Sequence, residues 1–579
     1  MKERMPDQRA GQKRFGRRTL IKSAATLAGS AAASALLPAV PAETERAARV
    51  ALTAPGGCET IIAASDSKAI VETAAGKVRG CVRNGIFTFK GLPYAGTTAG
   101  GARFQPPTKA TPWTGVRSSM QYGFVCPQQS RTGWANDEVA WMFDWDDGRP
   151  GEDCLLVNVW TPGINDNRKR PVMVWIHGGG FTAGSGQELK SYDGENLSRR
   201  GDVVVVSLNH RLGILGFLNL SEYGERYVSS ANVGQLDLVA ALEWVRDNIG
   251  NFGGDAGNVT IFGQSGGGAK VSTLMAMPSA RGLFHKVIVQ SGSSLRQVSL
   301  ESSTKLTAAV LAELGLNGSQ VEQLHKLTHA QLVDAGLAAG RKLTPTPAPA
   351  PGSGGNRIGW GPVVEGKVLP HHPFDPTAPA ISASVPMLIG TTLNEFTTAL
   401  GNPTMEALSE EELKKRVSAT HGAKGERLIE TFRRLHPRAK PIDLLSFINT
   451  TGAVRQNAIT QAERKAAQSA APAYLYLFAW QTPVLDGRPR AFHCAELAFV
   501  FDNTDRCASM TGGGPEARAL AAKVSDAWIN FARKGDPNHS GLPKWPAFTA
   551  DKVPTMVFDT KCEVKNDPDG EARQILAQA

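Results

Sequence analysis

Apolar residues fall along the chain in two rhythms. Short unbroken apolar runs predict strands buried on both faces: Pro171-Val172-Met173-Val174-Trp175-Ile176, residues 202–208, Val259-Thr260-Ile261-Phe262, residues 286–290, and Val385-Pro386-Met387-Leu388-Ile389-Gly390. Elsewhere the repeat lengthens. Leu236, Leu238, Val239, Leu242 and Val245 predict an amphipathic helix over 234–248, and residues 519–534 predict a long closing helix. Residues 300–340 and 405–470 read as mostly helical, and 474–480 alternate aromatics like a strand. Near the start, residues 70–82 and 85–90 alternate like paired antiparallel strands. Strands alternating with helices, with glycine-rich turns after the strands, predict a doubly wound α/β sheet. Residues 344–355, T-P-T-P-A-P-A-P-G-S-G-G, predict an exposed spacer loop, because the α/β pattern resumes at Val385. No internal repeat is present.

Composition is globular, with 41% hydrophobic and 20% charged residues in 579. The net charge of +10 is concentrated at the start. Residues 1–42 carry eight Lys/Arg and two acids, a net +6, so the remaining chain carries 10 − 6 = +4. A nucleic-acid partner is therefore not indicated. The leader has the shape of a targeting signal. A basic segment ends in Gly16-Arg17-Arg18-Thr19-Leu20-Ile21-Lys22, an alanine-rich stretch follows, and Val40-Pro41-Ala42 offers small residues for cleavage. The paired arginines resemble a twin-arginine export signal, although Gly16 and Leu20-Ile21 depart from the usual pattern. A general secretory signal and a retained helical anchor are the alternatives. Residues 43–68 read as an irregular tether. No other stretch reaches 18 apolar residues, which predicts a soluble, exported mature protein without stable membrane insertion.

Seven cysteines are present: Cys58, Cys81, Cys126, Cys154, Cys494, Cys507 and Cys562. Export makes disulfides permissible, and an odd count leaves at least one thiol unpaired within the chain. None has C-x-x-C spacing, so no metal or redox motif is supported.

The candidate chemistry begins in the turn Gly263-Gln264-Ser265-Gly266-Gly267, a G-x-S-x-G pattern between a predicted strand and a predicted helix. That is the context of a nucleophile elbow. A serine hydroxyl needs a base, and the base needs an acid to hold its tautomer. In elbow hydrolases the order along the chain is Ser, Asp/Glu, His. Among the downstream histidines, His421 and His436 lie in helical, charged sequence and His539 lies in a turn. His493 lies on a loop beside apolar sequence. Glu395 follows the strand ending Leu388-Ile389-Gly390, where open α/β sheets place their sites. A helix-capping surface glutamate and a structural loop histidine are the plainer readings of these two. The developing oxyanion needs donors. The amide of Gly266 and those of the H-G-G-G loop His177-Gly178-Gly179-Gly180 can supply them. A phosphate-binding turn would need the G-x-x-x-x-G-K-[ST] pattern, which is absent.

Together these residues resemble the type-B carboxylesterases of the cholinesterase-like group, close to bacterial para-nitrobenzyl esterases. The resemblance runs from about Ile70 to Phe558. It also rests on Gly91-Leu92-Pro93-Tyr94-Ala95, Arg103-Phe104, Glu152-Asp153-Cys154-Leu155, Asn209-His210-Arg211-Leu212-Gly213, Gln290-Ser291-Gly292-Ser293, Asn394-Glu395 and Gly535-Asp536-Pro537-Asn538. It implies one α/β-hydrolase domain over 69–579 with elaborated loops. Ser265 would be nucleophile, Glu395 acid and His493 base, with Gly179, Gly180 and Gly266 as the oxyanion hole. It implies a Cys126–Cys154 disulfide, a small-molecule ester substrate, and no metal or organic cofactor. Two positions depart from the family pattern. Gln264 stands where many members carry Glu, and Gly266 where Ala is usual, which predicts a less charged and looser elbow. A binding or adhesion protein on the same fold would typically lack triad members; all three are present here.

Overall fold

The computed structural model describes residues 61–129, 137–343 and 359–578. The leader, most of 43–68, Cys58 and the spacer at 344–355 lie outside them.

The predicted apolar runs line up in one twelve-stranded sheet. In chain order its strands are β1 (Ile62–Ala63), β2 (Cys81–Arg83), β3 (Ile86–Pro93), β4 (Leu156–Thr161), β5 (Arg170–Ile176), β6 (Val204–Leu208), β7 (Gly254–Gln264), β8 (Lys286–Gln290), β9 (Met387–Thr392), β10 (Ala473–Phe478), β11 (Pro554–Phe558) and β12 (Glu563–Asn566). Across the sheet they run β1-β2-β3-β4-β6-β5-β7-β8-β9-β10-β11-β12. Strands β6 to β11 pair in parallel, while β1 to β4 and β12 pair antiparallel. The fold is an α/β-hydrolase sheet, mostly parallel at its centre and flanked by helices.

Alternation along the parallel strands feeds two separate cores. Val172, Val174 and Ile176 of β5 face one; Met173 and Trp175 face the other. The first is closed by helix α1 (Val233–Asn248) through Leu238, Leu242 and Val245. The second is closed by the long helix Pro515–Lys534 through Leu520, Val524 and Trp528. Burial on both faces explains why these strands read as unbroken apolar runs rather than alternating ones.

Two sequence expectations change. Residues 70–82 do not form one strand. The chain turns after Ile70–Thr73 and returns as Gly76–Arg79 in a small separate sheet, and Cys81–Arg83 then joins the large one. The tether also ends earlier than expected, because Ile62 and Ala63 already pair with Val82 and Arg83. In the Asn209-to-Gly213 segment, Arg211 is buried and grips Asp237 of α1, donating from Nε at 2.8 Å and Nη2 at 2.6 Å. Fork-to-carboxylate geometry of this kind fixes the loop after β6 against α1.

Candidate active site

Strand β7 runs into helix α2 (Gly266–Leu274) with one residue between them, Ser265. Its backbone has φ 57° and ψ −124°, a conformation that non-glycine residues rarely adopt. The strain is held by the surroundings: Ser265 N donates to Gln290 O at 2.8 Å, and Ser265 O accepts from Ala269 N at 3.1 Å. Strain of this kind is stored where geometry is needed for function.

Glu395 follows β9, and His493 follows β10. Two backbone bonds splice their loops together: Asn394 N donates to Ala491 O at 3.0 Å, and His493 N donates to Glu395 O at 2.9 Å. The side chains meet between Glu395 Oε2 and His493 Nδ1 at 2.5 Å. The other carboxylate oxygen accepts from Thr392 N at 2.9 Å, and Glu395 N donates to Thr450 Oγ1 at 3.1 Å. Glu395 is 2% exposed, so its orientation is over-determined. With Nδ1 protonated toward Glu395, Nε2 carries the lone pair. That nitrogen lies 3.1 Å from the side-chain amide nitrogen of Gln264, the residue before the serine. The Gln264 carbonyl in turn accepts from Cys494 Sγ at 3.2 Å. The neutral amide thus bridges the elbow and the histidine loop. Phe396, 52% exposed, lies with its ring 4.2 Å from the His493 ring.

The H-G-G-G loop leaves β5 and passes over the elbow. Gly179 and Gly180 have φ 78° and 62°. Gly179 O accepts from Ala183 N at 3.1 Å, so the amide sharing its peptide, Gly180 N–H, points the opposite way. Gly266 opens α2, where a first-turn amide has no intrahelical acceptor. A Cβ at Gly266 would overlap the backbone N, Cα and O of Gly180. The expectation of a looser elbow is therefore corrected: the volume of the missing methyl is filled by the H-G-G-G loop, and the contact is tight.

The disulfide expected between Cys126 and Cys154 is not formed. Both are buried thiols outside any disulfide, as is Cys507. The pair is in contact, and the thiols are satisfied without a bond. The hydrogen bond to Cys126, then burial, hold the Cys154 thiol well above its usual range, while Cys126 Sγ accepts from Leu212 N at 3.2 Å. Among the described residues no cluster of His, Cys, Asp or Glu could hold a metal ion. No helix among them is long and apolar enough to cross a membrane. A cavity of about 450 Å³ between Pro127, Gln128 and helix His329–Leu343 contains none of the residues above. Chemistry at the strand ends, rather than cavity size, locates the site.

Comparison with known proteins identifies the family. The carboxylesterase family profile matches residues 67–575. The chain belongs to the carboxylesterase family. It is 37% identical to the para-nitrobenzyl esterase of Bacillus subtilis (strain 168) over 513 residues, 88% of this chain and 98% of that protein. It is 32% identical to the phenmedipham hydrolase of Pseudarthrobacter oxydans over 86% of this chain and 97% of that one. Among solved structures it superposes with TM-score 0.76 on an esterase of Clostridium hathewayi described as able to hydrolyze aliphatic aromatic polyesters. That pair shares 38% identity, over 89% of this chain and 99% of that one. A Geobacillus stearothermophilus carboxylesterase matches with TM-score 0.73 and 36% identity, over 88% of this chain and all of that one. The protein is a carboxylic ester hydrolase of the serine type.

Sequence reasoning missed a second buried acid. Glu496, three residues past His493, is fully buried; burial, then the charge of Glu395, push its carboxyl up to about 7. Gln290 Nε2 donates to its Oε1 at 3.2 Å, and Tyr476 and His493 also face it electrostatically. An acid inside the apolar run 495–501 was the available signal. The folded value lies above the ordinary 4.5, so the folded state keeps a proton that the unfolded chain releases. Stability from this group is complete below about 4.5 and is lost as pH rises through about 7. Thermal unfolding midpoints measured from about pH 4.5 to about pH 8 are expected to fall less steeply in Glu496→Gln, which ends above the parent. Superimposable slopes would remove this role.

Proposed function

We propose that Ser265 is the nucleophile, His493 the general base and Glu395 the residue that orients it, with the amides of Gly179, Gly180 and Gly266 receiving the oxyanion. Ser265 Oγ attacks the ester carbonyl and its proton passes to His493 Nε2. The tetrahedral intermediate collapses as His493 returns the proton to the departing alcohol. Water then repeats the sequence on the acyl-enzyme and releases the acid. For the first transfer the Gln264 amide must give up Nε2 to the serine hydroxyl. The observation that carries the reading is the 2.5 Å contact between His493 Nδ1 and the buried Glu395, beside a serine on a strained strand-to-helix turn. The substrate is a small carboxylic ester, and the exposed Phe396 beside His493 favours one with an apolar or aromatic group. The leader supports export to the periplasm or beyond, by the twin-arginine route. No metal or organic cofactor enters the chemistry.

The test is covalent labelling. A fluorophosphonate probe is expected to add one label, mapped by peptide mass to Ser265 and lost in Ser265→Ala. A label on another residue, or none on a protein that still turns over nitrophenyl esters, would sink the assignment. Absence of labelling together with absence of turnover would instead favour a non-catalytic binding protein.

A further inference from the structure

Helix α2 carries a lysine in its second turn, Lys270, and it is completely buried. An ammonium inside a core is costly unless its hydrogens are satisfied by acceptors. Here the side chain turns back beneath the H-G-G-G loop. Nζ donates to His177 O at 2.9 Å and to Gly178 O at 3.3 Å. With its Nδ1 protonated, the His177 ring also donates to Gly178 O, at 3.0 Å. Nζ lies 5.9 Å from the centre of the Phe181 ring, at the far end of the same loop. One cation therefore stands behind the whole segment from residue 177 to 181.

The consequence follows from peptide planarity. In a trans peptide the C=O and the N–H point in opposite directions. Lys270 draws the Gly178 carbonyl toward α2, so the amide in that same plane, Gly179 N–H, faces away from the lysine. The Gly178 position lies against the elbow: a Cβ there would stand 3.5 Å from Ser265 Cβ. Gly180 N–H is turned by the separate bond from Ala183 to Gly179 O. Lys270 thus acts on one donor and a different anchor acts on the next.

We propose that Lys270 is a positioning residue of the oxyanion hole, which fixes Gly179 N–H toward the reacting carbonyl and places a positive charge behind that peptide. This rests on the reading that Gly179 and Gly180 receive the oxyanion. The charge strengthens the amide as a donor, and it does so most when negative charge develops in the transition state. A ground-state ester gains little from it. The effect therefore belongs in kcat and in the affinity for mimics of the tetrahedral state, not in KM.

The experiment uses the full-length enzyme with Lys270→Met and Lys270→Gln. Two readouts are taken: kcat and KM on a short acyl nitrophenyl ester, and Ki for a trifluoromethyl ketone, which adds to the serine as a hemiketal oxyanion. Lys270→Met is expected to lower kcat about 100-fold with KM changed less than about threefold, and to weaken the ketone in parallel. Lys270→Gln keeps a donor without the charge and is expected to lose about 10-fold. If both variants stay within about threefold of the parent in kcat and ketone affinity, the role is overturned. It is equally overturned if kcat falls while ketone affinity is kept, since a merely structural lysine would do that. Should Lys270→Met fail to fold, Lys270→Gln decides by the same criteria. A parent enzyme that neither turns over esters nor takes a fluorophosphonate at Ser265 would instead refute the proposed function.

Discussion

His493→Ala is expected to lower kcat for short acyl nitrophenyl esters about 10⁵- to 10⁶-fold, with residual turnover still above the spontaneous rate. The size follows from the way the groups act together. Without the imidazole, Ser265 has no acceptor for its proton, and its strained backbone and the oxyanion donors are left to act on a neutral hydroxyl. Glu395→Gln tests the next link. The isostere fits the same space but presents an amide to Nδ1, so it no longer enforces the tautomer with Nε2 free, and the expected loss is about 10⁴-fold. The 2.5 Å contact makes this variant informative, because no other described acid bonds that nitrogen. Steady-state and single-turnover kinetics on both variants, with folding checked by circular dichroism, provide the measurement. A His493→Ala enzyme within tenfold of the parent would displace the histidine from the mechanism.

Gly266→Ala has the second-largest expected effect, and it arises from a single methyl group. The added Cβ would overlap Gly180 backbone atoms, and backbone, unlike a long side chain, cannot swing aside. The loop must retreat, and it carries the donor Gly180 N–H with it. Loss of one aligned oxyanion donor costs about 10²- to 10³-fold in kcat, or roughly 3 kcal/mol. KM for an ester held by remote contacts is expected to change little. Parental kcat in Gly266→Ala would show that the loop shifts without penalty. The variant therefore reports how closely the H-G-G-G loop lies on the elbow.

Much of this arrangement is legible in the sequence. The parallel strands announce themselves because both faces are buried, and the run 286–290 coincides with β8 residue for residue. Ser265, Glu395 and His493 could be chosen because each follows a strand and their order is that of elbow hydrolases. Side-chain reach was not legible. Nothing in the spacing of Gln264 and His493 says that an amide bridges them, and nothing in Gly266 says whose atoms fill its missing methyl. Nothing in the sequence around Lys270 says that its ammonium lies under the H-G-G-G loop. Short antiparallel strands are not legible either, because an alternating pattern persists through a turn such as Ala74-Ala75 without marking it. The Cys126–Cys154 pair shows the same limit: the resemblance implies a disulfide, and the structure has two thiols in contact instead.

The splice between the Glu395 and His493 loops joins segments 98 positions apart, and the bridge from Gln264 to His493 spans 229. Such long-range closures come late in folding, after local structure has formed. Ester turnover is therefore a reporter of complete assembly rather than of local order. A chain still emerging from the ribosome, or clipped before residue 493, can carry its serine on a finished elbow and yet have nothing to take the proton. On this reading the enzyme is inert until its C-terminal part has docked.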